Sequence, residues 1–277
     1  MDPQAYCEAK VAQSGSSFAY TFRFLPPPRR HAITALYAFC REVDDVVDEV
    51  ADPAVARMKL AWWRNEIAAV FDGKPQHPVA LALQDVVARY ALPREHFDAI
   101  IDGMAMDLDQ NRYQDFATLE RYCHRVAGVV GLLSAEIFGY QDAATLTYAR
   151  ELGIAFQLTN IIRDVGEDAQ RSRIYLPQDE MRRFGVTDSD ILGRRLTPGF
   201  EPLMAYQVER ARSYYTKAFA ALPGRDRRAQ RPGPMMAAVY RALLAEIERD
   251  GFRVLDRRIS LAPLYKAWVA WKTSWQY

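Results

Sequence analysis

The chain is poor in the residues that build soft-metal and disulfide sites. Its 277 residues include three cysteines and four histidines. Cys7, Cys40 and Cys123 lie far apart with no CxxC spacing, and His31, His77, His96 and His124 form no ligand cluster. This pattern excludes a zinc module and a disulfide framework and fits buried thiols in a reducing cytoplasm. Excess charge of one sign is also missing: 36 basic against 35 acidic residues leave a net charge of +1, so no electrostatic case for nucleic acid exists. No run approaches the length of uncharged apolar residues that spans a bilayer, and the N-terminus lacks the basic start and apolar core of a signal peptide. The expectation is a soluble cytoplasmic protein. Peripheral contact at the inner face of the membrane stays open, because that needs only an apolar mouth or one amphipathic helix. Strand-like alternation is almost absent, and no GxGxxG follows a strand, so there is no Rossmann-like nucleotide unit.

What is present is apolar and helical. Half of the residues are hydrophobic and 12% are aromatic, enough for a sizeable core. After Leu25-Pro-Pro-Pro28, helical periodicity runs over about 29–50, 54–72, 78–91 and 94–112, then from Phe116 to Tyr140 and over about 142–168. Arg173-Ile-Tyr-Leu-Pro177 reads as an extended loop before a short helix. Two long helices follow at about 200–222 and 233–257, then a tail rich in tryptophan and tyrosine from Leu261 to Tyr277. No internal repeat or long linker divides the chain. The expected architecture is all-α, about ten helices, as a single domain over residues 1–277.

Two acidic stripes stand out. Tyr37-Ala-Phe-Cys-Arg-Glu-Val-Asp-Asp-Val-Val-Asp-Glu49 packs five acids into eight residues, yet Ile33, Leu36, Phe39, Val43, Val46, Val47 and Val50 mark a core helix. Tyr37, Arg41, Asp44 and Asp48 fall at i, i+4, i+7 and i+11, which is one face. Carboxylates four apart have Cβ atoms about 6 Å apart; they repel, so the stripe gains nothing structural, but they can share a cation. Asp45 and Glu49 turn off this stripe. The second run, Gln157-Leu-Thr-Asn-Ile-Ile-Arg-Asp-Val-Gly-Glu-Asp168, places Gln157, Asn160, Asp164 and Asp168 on one face, with Ile154, Leu158, Ile161, Ile162 and Val165 around it. Core helices avoid carboxylates unless these are paired or hold metal. Two Asp-x-x-x-Asp helices facing across a cavity would hold several hard cations. Magnesium suits oxygen ligands and completes its shell with water and phosphate, so a phosphate or diphosphate ester is the implied substrate. Arg41 and Arg163 are placed to contact its oxygens or to support the carboxylates.

Between the stripes an apolar wall is expected from Phe18, Tyr20, Phe22, Tyr37, Tyr122, Val126, Gly128, Gly131 and Phe156. Gly128 and Gly131 each cost a helix about 1 kcal/mol relative to alanine, which implies close approach of another helix or of a ligand. An aromatic wall would house a hydrocarbon tail and stabilise a carbocation away from water.

The residues resemble the head-to-head trans-isoprenyl diphosphate synthases, the squalene and phytoene synthases, over nearly the whole chain. Five motifs carry the resemblance in family order: Ser14-Gly-Ser-Ser-Phe18, Ala35 to Asp48, Tyr122-Cys-His-Arg-Val-Ala-Gly-Val-Val-Gly131, Gln157 to Asp168, and Arg173-Ile-Tyr-Leu-Pro177. Their wording is most similar to the hopanoid-pathway branch that makes presqualene diphosphate. The resemblance implies an isoprenoid synthase fold around a central apolar cavity. It implies two farnesyl diphosphates, with two or three Mg²⁺ ions on Asp44, Asp48, Asn160, Asp164 and Asp168. Tyr37, Arg41, Asp44, Asp48, Tyr122, Asp164 and Asp168 then form the catalytic set. Ser17, Arg41, Gln157, Asn160, Arg163 and Tyr175 contact substrate, and Tyr240 and Arg257 reach the site by count along the late helix.

The implied reaction ionises one farnesyl diphosphate, adds the resulting cation to the second chain, and closes a cyclopropane with loss of a proton to released diphosphate or a site tyrosine. NADPH is not expected, and downstream squalene or hopanoid enzymes are expected partners. Squalene, dehydrosqualene and phytoene synthases share every motif named. An ionising terpene cyclase would use one substrate, and the VAGxVG and RxYLP segments weigh against it. A helical interaction protein with two acidic faces would show no stabilisation by Mg²⁺ and diphosphate.

Overall fold

Proline punctuates this chain into helices. The structure, a computed structural model, describes residues 2–13 and 21–276. Ser17, Phe18 and Tyr20 lie outside the described residues. Helices α1 (Pro3–Gln13), α2 (Pro27–Glu49), α3 (Pro53–Phe71) and α4 (Pro78–Arg89) all open on proline, as do α12 (Pro232–Arg249) and α13 (Pro263–Ser274). In the first turn the missing N–H has no partner to lose, and the fixed φ already suits a helix. Between them run α5 (Arg94–Asp109), α6 (Phe116–Cys123), a π-helical turn (His124–Gly128), α7 (Val129–Phe138), α8 (Ala144–Gln170), α9 (Gln178–Arg183), α10 (Asp188–Leu192) and α11 (Phe200–Ala221). No sheet forms among the described residues; the extended 173–177 segment makes an isolated bridge from Ile174 to Arg112, with Ile174 N–H donating to Asn111 O at 3.1 Å. The all-α expectation holds.

Several boundaries depart from the periodicity. α1 and α13 are helices where the sequence reading marked none. α5 stops at Asp109, before the expected 112. The late helix ends at Arg249, not 257, because Gly251 (φ +70°) and Phe252 (φ +55°) take left-handed conformations that reverse the chain. That early stop matters for Arg257 below.

Buried apolar side chains form one continuous cluster from Cys7 to Ala270. α2 packs on α1, α3, α4, α5 and α7, whereas α8 packs on α7, the π turn, α11 and α12. The two acidic helices share α7 as a neighbour and otherwise pack on different elements, and residues of both line one cavity. The glycines of the small-residue stretch serve helix approach: a Cβ on Gly131 would lie 2.1 Å from Ala149 O, and one on Gly153 would lie 2.3 Å from Ala127 O. Backbone-to-backbone contact at these points seats α8 against the π turn and α7, and the expense in helix propensity is structural.

Candidate active site

A cavity of about 600 Å³ opens between α2 and α8, a size that accommodates a small-molecule ligand. Its apolar part is lined by Phe22, Val126, Gly131, Phe156 and Met236 among others, and Tyr37, Tyr240 and Tyr148 also face it. Phe22 stands edge-on to Tyr37 at 6.2 Å between ring centroids, and Phe156 meets Tyr240 at 4.8 Å. Gly128 and Tyr122, expected in this wall, do not line it.

Both acidic helices run from this wall toward a polar end in the same order. On α2, Tyr37 and Arg41 line the cavity and Asp44 and Asp48 follow one and two turns on; on α8, Gln157, Asn160 and Arg163 line it and Asp164 and Asp168 follow. The four stripe aspartates do not themselves line the cavity; Asp44 and Asp164 are tied to it through the lining arginines Arg41, Arg163 and Arg258. Arginines intervene between the carboxylates. Arg41 pairs with Asp44 and Asp45, Arg163 with Asp164, and Arg258 approaches Asp164 at 3.2 Å. Arg173 donates to Asp48 at 2.7 Å and to Val47 O at 2.8 Å, so the 173–177 segment clamps the end of α2. The five acids of the first motif are not equivalent: Lys10 of α1 pairs with Asp45 at 2.8 Å and Glu42 at 3.1 Å, which docks α1, and Glu49 is exposed.

Sequence reasoning missed a buried carboxylate whose charge is felt by both stripes. Asp107 on α5 is buried and accepts hydrogen bonds from Tyr122 Oη and Tyr175 Oη, both at 2.8 Å. The two tyrosine rings stack at 5.3 Å, and burial drives both phenols well above their ordinary range. Tyr122 and Tyr175 therefore act in a buried cluster behind the carboxylates rather than on the cavity wall. Burial raises the Asp107 carboxyl to about 6, opposed by Arg173 and the two phenols and reinforced by Asp48. The only sequence signal was an aspartate on the apolar face of its helix, flanked by Met104 and Tyr113.

Two basic residues were also missed. Arg258 and Lys266 line the cavity, and the Lys266 ammonium is lowered by burial and by its neighbours Arg163 and Arg258. Three cations so placed repel one another and favour an anion. Arg257, expected at the site, instead pairs with Asp250 on the surface, because the late helix ends eight residues before it. Tyr240 does line the cavity.

The carboxylates show the opposite stress. Burial lifts Asp44 to about 7, with Arg41 opposing and Asp48, Asp45 and Asp107 adding repulsion. Burial and Asp164 lift Asp168 to about 8. Among the described residues no three acidic, histidine or cysteine side chains gather closely enough to hold an ion, since arginines occupy the space between them. The donor set nevertheless fits magnesium: all ligand atoms are oxygens, burial and neighbouring carboxylates hold two carboxyls above their ordinary range, and Asn160 Oδ1 is buried without a hydrogen-bond partner among the described residues.

Comparison with known proteins agrees with this geometry. The family described as squalene/phytoene synthase matches residues 11–264. Phytoene synthase of Arthrospira platensis is 36% identical over 96% of this chain and 90% of its own length. The chain spans 61% of chloroplastic phytoene synthase 3 of Zea mays and 63% of chloroplastic phytoene synthase 1 of Arabidopsis thaliana. Among solved structures, a dehydrosqualene synthase superposes with a TM-score of 0.88 at 29% identity, covering 99% of this chain and 96% of that one. Squalene synthase HpnC from Alicyclobacillus acidocaldarius gives 0.80 at 30% identity, over 90% and 94%. The chain belongs to the squalene/phytoene synthase family. It is an enzyme of the prenyltransferase type with the isoprenoid synthase fold.

Proposed function

We propose that the cavity condenses two prenyl diphosphates head to head. The observation that carries this reading is the meeting of two acidic stripes and a cationic group at one end of an otherwise apolar, aromatic cavity. Magnesium ions on Asp44, Asp48, Asn160, Asp164 and Asp168 would neutralise the diphosphate leaving group. Arg41, Arg163, Arg258 and Lys266 would bind phosphate oxygens, the arginines exchanging their present carboxylate partners for them. With charge so balanced, the C1–O bond of one substrate breaks and its electron pair leaves with the diphosphate. The C2=C3 bond of the second chain attacks C1 and leaves a cation at C3; a proton then passes from that C1 to the released diphosphate, and the C–H electron pair closes a cyclopropane. Tyr37, Phe156 and Tyr240 present π faces to the cation and keep water from it.

For chain length and product, the name borne by the relatives at about 36% identity favours phytoene synthase, and hence geranylgeranyl diphosphate, over the farnesyl diphosphate and presqualene diphosphate that the motif wording implies. The C15 reading keeps support from the dehydrosqualene synthase and HpnC structures. Incubation with each prenyl diphosphate and Mg²⁺, with and without NADPH, followed by product identification, decides between them. Phytoene from the C20 substrate supports the first reading. Presqualene diphosphate accumulating from the C15 substrate irrespective of NADPH supports the second. Turnover of a single prenyl diphosphate to a cyclic hydrocarbon would overturn both.

A further inference from the structure

α13 (Pro263–Ser274) is amphipathic in the reverse of the usual sense. Ala270 is buried and Val269 packs on the core, whereas Leu264, Trp268, Trp271 and Trp275 are 86%, 49%, 51% and 76% exposed. At 3.6 residues per turn these four fall within an arc of about 60°, with Tyr265 and Lys272 along one edge. The rings are ordered against one another rather than against the protein. Tyr265 stacks on Trp268 at 5.7 Å, the Lys272 ammonium sits 5.2 Å from the Trp268 ring, and Trp271 stands edge-on to Trp275 at 5.8 Å. Scattered exposed apolar residues are ordinary, but a contiguous stripe of four aromatics and a leucine marks an interaction face.

The occupant is indicated by ring chemistry and charge. Tryptophan and tyrosine join an apolar body to a polar tip and concentrate where hydrocarbon meets headgroups. Lys272 lies along the edge of this stripe against the Trp268 ring, and from Arg257 to Gln276 the chain carries no acid, so the face complements anionic phospholipid. A second copy docked on the same face would set Lys272 against its own equivalent with no acid in the segment to answer it. The opposite side of the same segment belongs to the cavity: Ile259, Ser260, Leu261 and Lys266 line it. We propose that α13 seats this enzyme on the surface of a bilayer containing anionic lipid, with the tryptophan stripe in the headgroup layer and the cavity wall directly behind it. No described helix is long and apolar enough to cross the membrane, so contact is at the surface. Release of a hydrocarbon product toward lipid would follow, and that consequence alone rests on the function proposed above.

The test is co-sedimentation of the full chain with sucrose-loaded vesicles, either of phosphatidylcholine alone or with about one third phosphatidylglycerol. The intact chain should bind the anionic vesicles at least about tenfold more strongly than the neutral ones. The triple variant Trp268→Ser, Trp271→Ser, Trp275→Ser should lose about tenfold or more in binding to anionic vesicles while melting at the parental temperature. Lys272→Glu should weaken binding to anionic vesicles only. Equal binding by the intact chain and the triple variant, or no binding by the intact chain, would overturn the proposal. So would a concentration-dependent dimer, lost in the triple variant, in place of vesicle binding. Turnover of detergent-dispersed prenyl diphosphates is read separately: its absence alongside intact vesicle binding counts against the proposed function and leaves the docking surface standing.

Discussion

The half-sites on α2 and α8 look alike in sequence and differ in how their charge is balanced. On α2, Asp44 pairs with Arg41 of its own helix, and Asp48 holds two arginines, Arg173 from the extended segment at 2.7 Å and Arg171 at 3.8 Å. On α8, Asp164 holds two, Arg163 and Arg258, while Asp168 is in no ion pair among the described residues and is pushed highest, to about 8. The pairs hold the metal-free site together, and the unpaired carboxyl is where counter-charge is most lacking. Asp107, between the two and raised by burial, makes the pocket more acidic than either stripe alone. On the proposed function, its arginines are counter-ions in the metal-free state and would turn to diphosphate once the carboxylates held metal.

The largest effect should come from removing stripe charge. Asp48→Asn and Asp164→Asn are each expected to cut turnover about 10³-fold or more while leaving the helical circular dichroism unchanged, since metal-borne charge stabilisation is worth several kcal/mol and each 1.36 kcal/mol is tenfold. Loss of fold would make these aspartates structural. Asp107→Asn should weaken the apparent Mg²⁺ affinity roughly 10- to 100-fold, the range for residues that orient metal ligands, as read by turnover against Mg²⁺ concentration. Lys266→Ala should raise KM for the prenyl diphosphate about tenfold, the value of one charge-assisted hydrogen bond, with a smaller change in kcat.

The smallest effect is on stability. Asp44 and Asp168 have folded-state values above their ordinary range, so they favour the fold while protonated, and that contribution is lost as pH rises through about 7 and 8. The metal-free chain should melt lower at pH 9 than at pH 6, by roughly 3 °C or more, and Asp168→Asn should flatten the profile. An unchanged slope in that variant would remove Asp168 from the account.

The sequence carried the helices and both stripes because periodicity and paired carboxylates are local signals. Asp44, Asp48, Asp164 and Asp168 needed only the helical wheel. Asp107, Arg258 and Lys266 were out of reach: their importance comes from which elements meet in space, and no local spacing records that. Arg257 shows the complementary failure. It was placed by counting along a helix, and the left-handed turn at Gly251 and Phe252 ended that helix early, so its neighbour Arg258 took the cavity. The π turn at His124–Gly128 was likewise missed, since five residues are too few for a periodicity to reveal it.

Thermal melting with Mg²⁺, with inorganic diphosphate, and with both together tests the central claim most directly, because it needs no assumption about chain length. If the two stripes form one metal–diphosphate site, the pair of ligands at about 100 times their dissociation constants should raise the melting temperature by about 5 °C. Either ligand alone should do much less, and Asp48→Asn and Asp164→Asn should each abolish the joint shift. A shift that persists in both variants, or its absence in the parent chain, would contradict the claim.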